Sequence, residues 1–137
     1  MPHLPHEQIA REFESILAEE YHLDVAGCRE SADWWRFYPD GLSMQGGVHR
    51  NDFRVLCTIC ATDTDCDLER LSTDLNDHNQ SIAGAQFIEA DCYIHVRSTC
   101  RFDELSKTRM QEMMHACMDA ARSPAARRLK SRYQSFD

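Results

Sequence analysis

Residues 80–121 of the chain read QSIAGAQFIEADCYIHVRSTCRFDELSKTRMQEMMHACMDAA. Residues 87–89 and 93–96 are rich in β-branched and aromatic side chains, and Ala90-Asp91 can turn the chain between them, which predicts a β-hairpin. From about Asp103 to Arg122 the apolar residues recur at helical spacing. A hairpin followed by an amphipathic helix is typical of a small α+β domain.

The preceding residues extend this pattern. Helical spacing predicts a first helix over residues 5–21, with Ile9, Phe13, Ile16, Leu17 and Tyr21 on one face. Residues 33–62 predict three antiparallel strands, since aromatic and alternating apolar residues are broken only by turn residues. A second helix is predicted between Asp63 and Asn79, capped by Thr64 or Asp65 and bearing a narrow stripe of Leu68, Leu71 and Leu75. The predicted fold class is therefore α+β, with the order α-β-β-β-α-β-β-α and an antiparallel sheet packed with helices.

Length and charge limit the classes of function. At 137 residues, with 42% hydrophobic and 28% charged residues, the chain predicts one globular domain over residues 1–122. Residues 1–121 hold 22 acids against 10 Lys and Arg, whereas residues 122–137 hold five cations against one acid. The acidic body argues against nucleic acid as a partner. The basic tail, residues 123–137, is expected to be solvated and partly frayed, although its cations could in principle contact phosphate or lipid headgroups.

Two further features indicate the compartment. The chain contains no run of 18 apolar residues and its start lacks the charged and apolar regions of a signal peptide, so we expect a cytoplasmic protein that does not bind membranes. Seven cysteines are an odd number and are scattered, which predicts reduced, mostly buried thiols.

No motif in the sequence predicts catalysis or a cofactor. Cys57 and Cys60 have the spacing of a zinc or redox motif, but residues three apart on a strand point to opposite faces unless a bulge intervenes. Cys66, His49 and His95 could complete a set of four ligands only if the fold brought them together. Asp63, Asp65 and Asp67 lack the glycine and glutamate of a calcium loop and are better explained as helix-capping residues. His95 alternates with Ile94 and Val96 and is predicted on a half-exposed sheet face.

A cluster of aromatic residues suggests a binding surface instead. Trp34, Trp35, Phe37 and Tyr38 fall within five residues, and on a strand their side chains must divide between two faces. One face can belong to the core. The other needs a cover, which can be helices of the same chain, a ligand in a groove, or a second subunit.

The chain resembles the class I chaperones of bacterial type III secretion and regulators that share their fold. The resemblance spans roughly residues 7–121. It rests on the element order, a first helix ending near residues 21–24, the leucine-bearing second helix, Gly84-Ala85 before the hairpin, and residues 102–105 entering the last helix. Together with small size and acidic charge, these features identify an architecture rather than a diagnostic motif.

The resemblance implies a function without catalysis. Such chaperones are homodimers that bind an extended N-proximal segment of a secreted effector without ATP. The implied dimer interface comprises Leu68, Leu71, Leu75, Ile82, Ala85 and Phe87. The implied effector-binding residues are Phe13, Leu17, Trp35, Phe37, Met44, Val55 and Cys57. The alternatives are a regulator of the same fold that binds a folded signalling protein, and a small thiol or zinc protein.

Overall fold

One antiparallel sheet of six strands organises the chain, in the spatial order β1-β2-β3-β4-β6-β5. The computed structural model describes residues 6–135. The strands are β1 (Arg29–Ser31), β2 (Trp34–Phe37), β3 (Ser43–His49), β4 (Asp52–Ala61), β5 (Gln86–Ala90) and β6 (Tyr93–Arg101). The helices are α1 (His6–Glu19), α2 (Val25–Cys28), α3 (Leu68–Asn79), α4 (Lys107–Ala121) and α5 (Pro124–Tyr133).

This architecture confirms the predicted α+β class and the order of its eight main elements. Three short or terminal elements were not predicted, namely α2, β1 and α5. The hairpin turn lies one residue later than expected, at Asp91 and Cys92, whose φ angles of 53° and 66° are left-handed. Two left-handed residues in a two-residue loop give the twist that antiparallel strands need.

Helix α3 also begins later than the sequence predicted. Its N-cap is Asp67, whose carboxylate accepts a hydrogen bond from the backbone N–H of Arg70 at 3.1 Å. The cap prediction of Thr64 or Asp65 was therefore wrong. Asp67 is the acid that immediately precedes the first apolar residue of the stripe, Leu68.

The core lies between one face of the sheet and helices α1 and α4. At its centre the Phe13 ring packs edge-on against Trp35, Phe37 and Phe53, with centroid distances of 5.4, 5.8 and 5.0 Å. Gly46 provides the room, because a side chain at this position would begin 3.0 Å from the Phe13 ring. Edge-to-face pairs of this kind add about 0.5–1.5 kcal/mol each beyond their burial.

The C-terminal residues do not form a frayed tail, which corrects that expectation. Ser123 caps α5 and Pro124 occupies its first turn, while Ala126, Leu129 and Tyr133 are buried against the rest of the chain. The Tyr133 hydroxyl donates to the Asp74 carboxylate on α3, and Arg132 forms an ion pair with the same carboxylate at 2.8 Å. Beyond the helix, the N–H of Ser135 donates to the carbonyl of Ala61 at 2.8 Å. Helix α5 is thus an integral part of the domain.

Strand β4 contains an irregularity that changes the position of one thiol. The pairing of β4 with β6 shifts register between Thr58 and Cys60, so that Cys57 and Cys60 are both buried on the core side. The prediction that the two thiols point to opposite faces was therefore wrong, because the bulge adds one residue to the alternation. Burial raises the pKa of Cys57 to about 11 and also raises the pKa of Cys60.

Replacement of Asp74 by Ala should destabilise the domain by about 1 kcal/mol, since it leaves the part-buried Tyr133 hydroxyl without its acceptor. Hydrogen bonds from Tyr133 and Arg132 hold the pKa of Asp74 below its usual value. Its contribution is therefore present at neutral pH and is lost as the pH falls below about 4. Urea denaturation measures the loss. Asp77→Ala, at an exposed position of the same helix, is the control, and equal effects of the two variants would contradict the role of α5.

The thiols should separate into three classes when a thiol reagent is added to the native protein. Cys92 is exposed and should react first, whereas Cys57, Cys60, Cys100 and Cys117 are buried and should react only after unfolding. Cys28 and Cys66 are half-exposed and should react at intermediate rates. Mass spectrometry of labelled peptides assigns the order, and Cys92→Ser should abolish the first phase. Rapid native labelling of Cys57 or Cys60 would disprove their burial.

Candidate functional site

The residues that the resemblance assigned to effector binding form the core of this chain. At most 1% of the surface of each is exposed: Phe13, Leu17, Trp35, Phe37, Met44, Val55 and Cys57. These side chains do belong to one cluster, but they pack against each other beneath α1 and α4. They offer no surface to a partner, which corrects their assignment as a binding patch.

The residues assigned to the dimer interface divide into two groups. Leu71, Leu75, Ala85 and Phe87 are buried within the chain, where α3 packs on β5 and α5. Leu68 remains 62% exposed and Ile82 is half-buried. The leucine stripe of α3 is therefore mostly occupied within the chain, and only Leu68 and Ile82 are accessible to a second subunit.

The uncovered surface is the sheet face opposite α1 and α4, which we call the outer face. Trp35 points into the core, and Trp34 points to the outer face with its indole N–H donating to Gln45 at 3.0 Å. Leu56 and Ile88 are also half-buried and, like Trp34, do not belong to the core cluster. Three apolar side chains of three different strands thus lie on a face that no helix of the described chain covers.

Cross-strand pairing arranges the outer face in rows. One row runs through Arg36, Gln45, Leu56, Arg97 and Gln86 across five strands. A second row runs through Ser43, Thr58, His95 and Ile88. Each row holds one apolar side chain among polar ones, Leu56 in the first row and Ile88 in the second, so the surface suits a partner that offers both kinds of contact.

Three arginines lie on the outer face, and two of them have acidic partners. Arg36 forms an ion pair with Glu30, and Arg54 pairs with Asp52 at 2.9 Å. Arg97 has no ion pair among the residues that the structure describes. Exposed pairs of this kind contribute little to stability, so the arginines remain free to exchange partners.

His95 lies where the sequence predicted, on the outer face and opposite in direction to the buried Ile94 and Val96. Its Nδ1 is 3.0 Å from the Thr58 hydroxyl. Burial lowers the pKa of His95, which favours the neutral imidazole at physiological pH. The histidine therefore serves as a polar member of the second row and adds no positive charge at neutral pH.

The two edges of the sheet differ in accessibility. At the β5 edge, the Asn79 side-chain amide accepts from the N–H of Phe87 and donates to its carbonyl at 3.0 Å. This amide occupies the backbone groups that an added strand would need. At the other edge, β1 pairs only with Trp34 and Trp35, so the end of β2 at Arg36 and Phe37 is the more open position for strand addition.

No metal-binding cluster occurs within residues 6–135, since no three His, Cys, Asp or Glu side chains there converge. No such group is formed by Cys57 and Cys60 with the other candidate ligands, Cys66, His49 and His95. None of the described helices is long and apolar enough to cross a membrane.

Sequence reasoning missed Leu56 and Ile88 as surface residues. The signal was available, because Leu56 lies between Val55 and Cys57 and is therefore out of phase with the alternating core positions of β4. Ile88 is likewise out of phase with the buried Phe87. An apolar residue at the polar phase of a strand marks a face that needs a partner.

Several solved structures share this fold across most of the chain. A chain of the HopA1–SchA chaperone–effector complex matches with a TM-score of 0.57 and 10% identity, covering 86% of this chain and 96% of that one. A chain of the ExoU–SpcU complex from the type III secretion system of Pseudomonas aeruginosa matches with a TM-score of 0.58 and 12% identity, covering 87% and 95%. The Yersinia pestis type III secretion chaperone SycH, solved with a fragment of YscM2, gives a TM-score of 0.55 and 13% identity over 85% and 97%.

Sequence comparison alone does not reveal this relationship. No protein-family model matches the chain, and no curated protein matches it. At 10–13% identity, the likeness resides in the sheet order and the helices that cover one of its faces. The chain has the fold of the type III secretion chaperones.

Proposed function

We propose that this protein is a cytoplasmic, homodimeric chaperone that binds an extended N-proximal segment of a secreted effector. It holds that segment in a secretion-competent state without ATP or catalysis. The observation that carries the proposal is the uncovered outer face with Trp34, Leu56 and Ile88. Similar folds have been solved as chaperone–effector complexes, which supports an effector as the occupant.

The geometry of the outer face favours an extended segment over a folded partner. Successive side chains of an extended peptide alternate in direction, so every second residue can contact the apolar positions while the others face solvent. The open end of β2 at Arg36 and Phe37 can additionally pair with the peptide backbone. Trp34 provides a large aromatic surface. Tryptophan is among the residue types enriched at binding hot spots.

Leu56→Asp should abolish effector binding without unfolding the chaperone, because Leu56 lies on the outer face and its replacement puts a charge at the apolar position of the first row. The test is co-expression with each open reading frame adjacent to the gene, followed by measurement of soluble partner and co-purification. Thr108→Asp adds the same charge on the exposed surface of α4 and should leave binding unchanged.

Two results would count against this proposal. Wild-type levels of soluble effector with Leu56→Asp would remove the outer face as the binding site. Failure of the wild-type chain to solubilise any neighbouring product, together with capture of a folded signalling protein, would favour a regulator of the same fold.

The proposed homodimer requires an interface other than the buried part of the leucine stripe. Leu68 is the strongest candidate, since it is 62% exposed at the start of α3. Leu71→Asp does not test the interface, because Leu71 is buried within the chain and a charge there would unfold it. A substitution at an exposed position can change assembly without changing the fold of the subunit.

Leu68→Asp should convert the dimer to a monomer in multi-angle light scattering while leaving the circular dichroism spectrum of the folded chain unchanged. In a two-fold interface the substitution occurs in both subunits, so dimerisation would bury two unpaired carboxylates. Tyr38→Asp is the matched control, because Tyr38 is 60% exposed and lies on another part of the surface. A wild-type chain that is monomeric at every concentration would disprove the homodimer.

A further inference from the structure

Helix α5 carries cations that have no carboxylate partner within residues 6–135. Arg127, Arg128 and Lys130 are exposed, and the ion pairs of the region involve only Arg122 with Asp40 and Arg132 with Asp74. The rest of the chain is strongly acidic. A local excess of positive charge on such a body concentrates attraction for an anionic partner at one place.

Two of these cations border a cleft between α5, the end of α4 and strands β3 and β4. The cleft has a volume of about 410 Å³. Its lining residues are Gly41, Leu42, Ser43, Thr58, Ile59, Ala121, Ala126, Arg127 and Lys130. The lining contains no carboxylate, and Asp40, the acid next to Gly41, is already paired with Arg122 at 3.2 Å. We call this the α5 cleft.

The floor of the α5 cleft is apolar because of the bulge in β4. Ile59 is the residue within the register shift between Thr58 and Cys60, and it is half-buried beside Leu42. Ala121 and Ala126 leave space above them. An apolar floor with a cationic rim is suited to an apolar side chain that is followed or preceded by an acidic one.

The α5 cleft borders the outer face. Ser43 and Thr58 line the cleft and also line a second depression of about 380 Å³ on the outer face, with Arg36, Gln45 and His95 among its other residues. A chain that lies across the row Ser43–Thr58–His95 therefore contacts two residues that also line the α5 cleft. The two depressions are neighbours.

We infer that the α5 cleft selects the bound segment by its chemistry, receiving an apolar side chain while Arg127 and Lys130 bind an adjacent aspartate or glutamate. This inference rests on the proposed function and specifies the partner as an extended segment in which apolar and acidic residues are adjacent. A nucleic acid or an anionic membrane fits the site less well, because only two cations face the cleft and its floor is apolar.

The test uses two synthetic 12-residue peptides with identical leucine and serine positions. One carries aspartate and glutamate beside the leucines, and the other carries lysine at the same positions. Fluorescence anisotropy with the full chain should show the acidic peptide binding several-fold more tightly than the lysine peptide. This difference should shrink as salt is raised from about 0.05 to about 0.3 M, because salt screens ion pairs near the surface.

Charge reversal at matched positions locates the effect. Lys130→Glu should weaken binding of the acidic peptide about fivefold or more, consistent with the loss of a favourable pair and the gain of a repulsive one. Arg128→Glu makes the same change in net charge at an exposed position that lines a cleft between α3 and α5 and does not line the α5 cleft. It should alter binding less than about twofold, as expected for a screened remote charge. Both variants should retain the wild-type melting temperature.

Three results would overturn the inference. Equal losses from Lys130→Glu and Arg128→Glu would show a diffuse field rather than a defined cleft. Equal affinity for the acidic and lysine peptides would show that charge is not recognised. Tighter binding to phosphatidylglycerol vesicles or to RNA than to the acidic peptide would assign the cations to another class of partner.

The outcome is separable from that of the proposed function. An effector solubilised equally by the wild type and by Lys130→Glu would leave the chaperone function intact and remove the α5 cleft from it. A wild-type chain that binds the acidic peptide through Lys130 but solubilises no effector would retain the cleft and reject the chaperone function.

Discussion

The packing of Phe13 against three aromatic rings is the contact on which the remaining structure depends. It joins α1 to β2 and β4, and Gly46 of β3 admits the ring at the point of closest approach. Helix α1 is therefore fixed over one face of the sheet. Trp35 is consequently directed inward and Trp34 outward, so the same contact that closes the core also determines which aromatic side chain remains available to a partner.

Helix α5 completes the opposite side of the domain. Its residues Leu129 and Tyr133 are buried, and Asp74 of α3 receives hydrogen bonds from both Tyr133 and Arg132. Of the stripe that suggests a subunit interface, Leu71 and Leu75 are buried within one chain and Leu68 is exposed. Surfaces that remain for assembly lie at the ends of α3 and on the sheet, where side chains are accessible without disturbing the core.

The periodicity of the sequence was sufficient to predict the sheet, its antiparallel strands and the three main helices. The resemblance grouped Trp35, Phe37, Met44, Val55 and Cys57, which do lie together, whereas periodicity left the two faces of each strand equivalent. The periodicity therefore could not show which face the helices cover. The assignment of these residues to a binding patch failed for that reason, and Leu56 was overlooked.

Two other differences have local physical causes. The signals for α5 were present, with Ser123 at a capping position, Pro124 at the first turn, and Ala126, Leu129 and Tyr133 spaced along one face. The high positive charge of residues 122–132 made this segment resemble a solvated tail. The bulge near Ile59 has no comparable signal, because it arises from the pairing of β4 with β6 across a long separation in sequence. The α5 cleft depends on both features and was therefore not predictable.

The Asn79 amide makes the β5 edge of the sheet less open to an added strand than the β2 edge. A side chain that satisfies both backbone groups of Phe87 acts as a permanent substitute for a neighbouring strand. Edge-to-edge stacking of copies through β5 is thereby disfavoured, and with it the open-ended polymerisation to which exposed strands are prone. The proposed function gives this protection a further use, because a chain that accepts a foreign strand at the β2 edge would otherwise pair with copies of itself at the β5 edge.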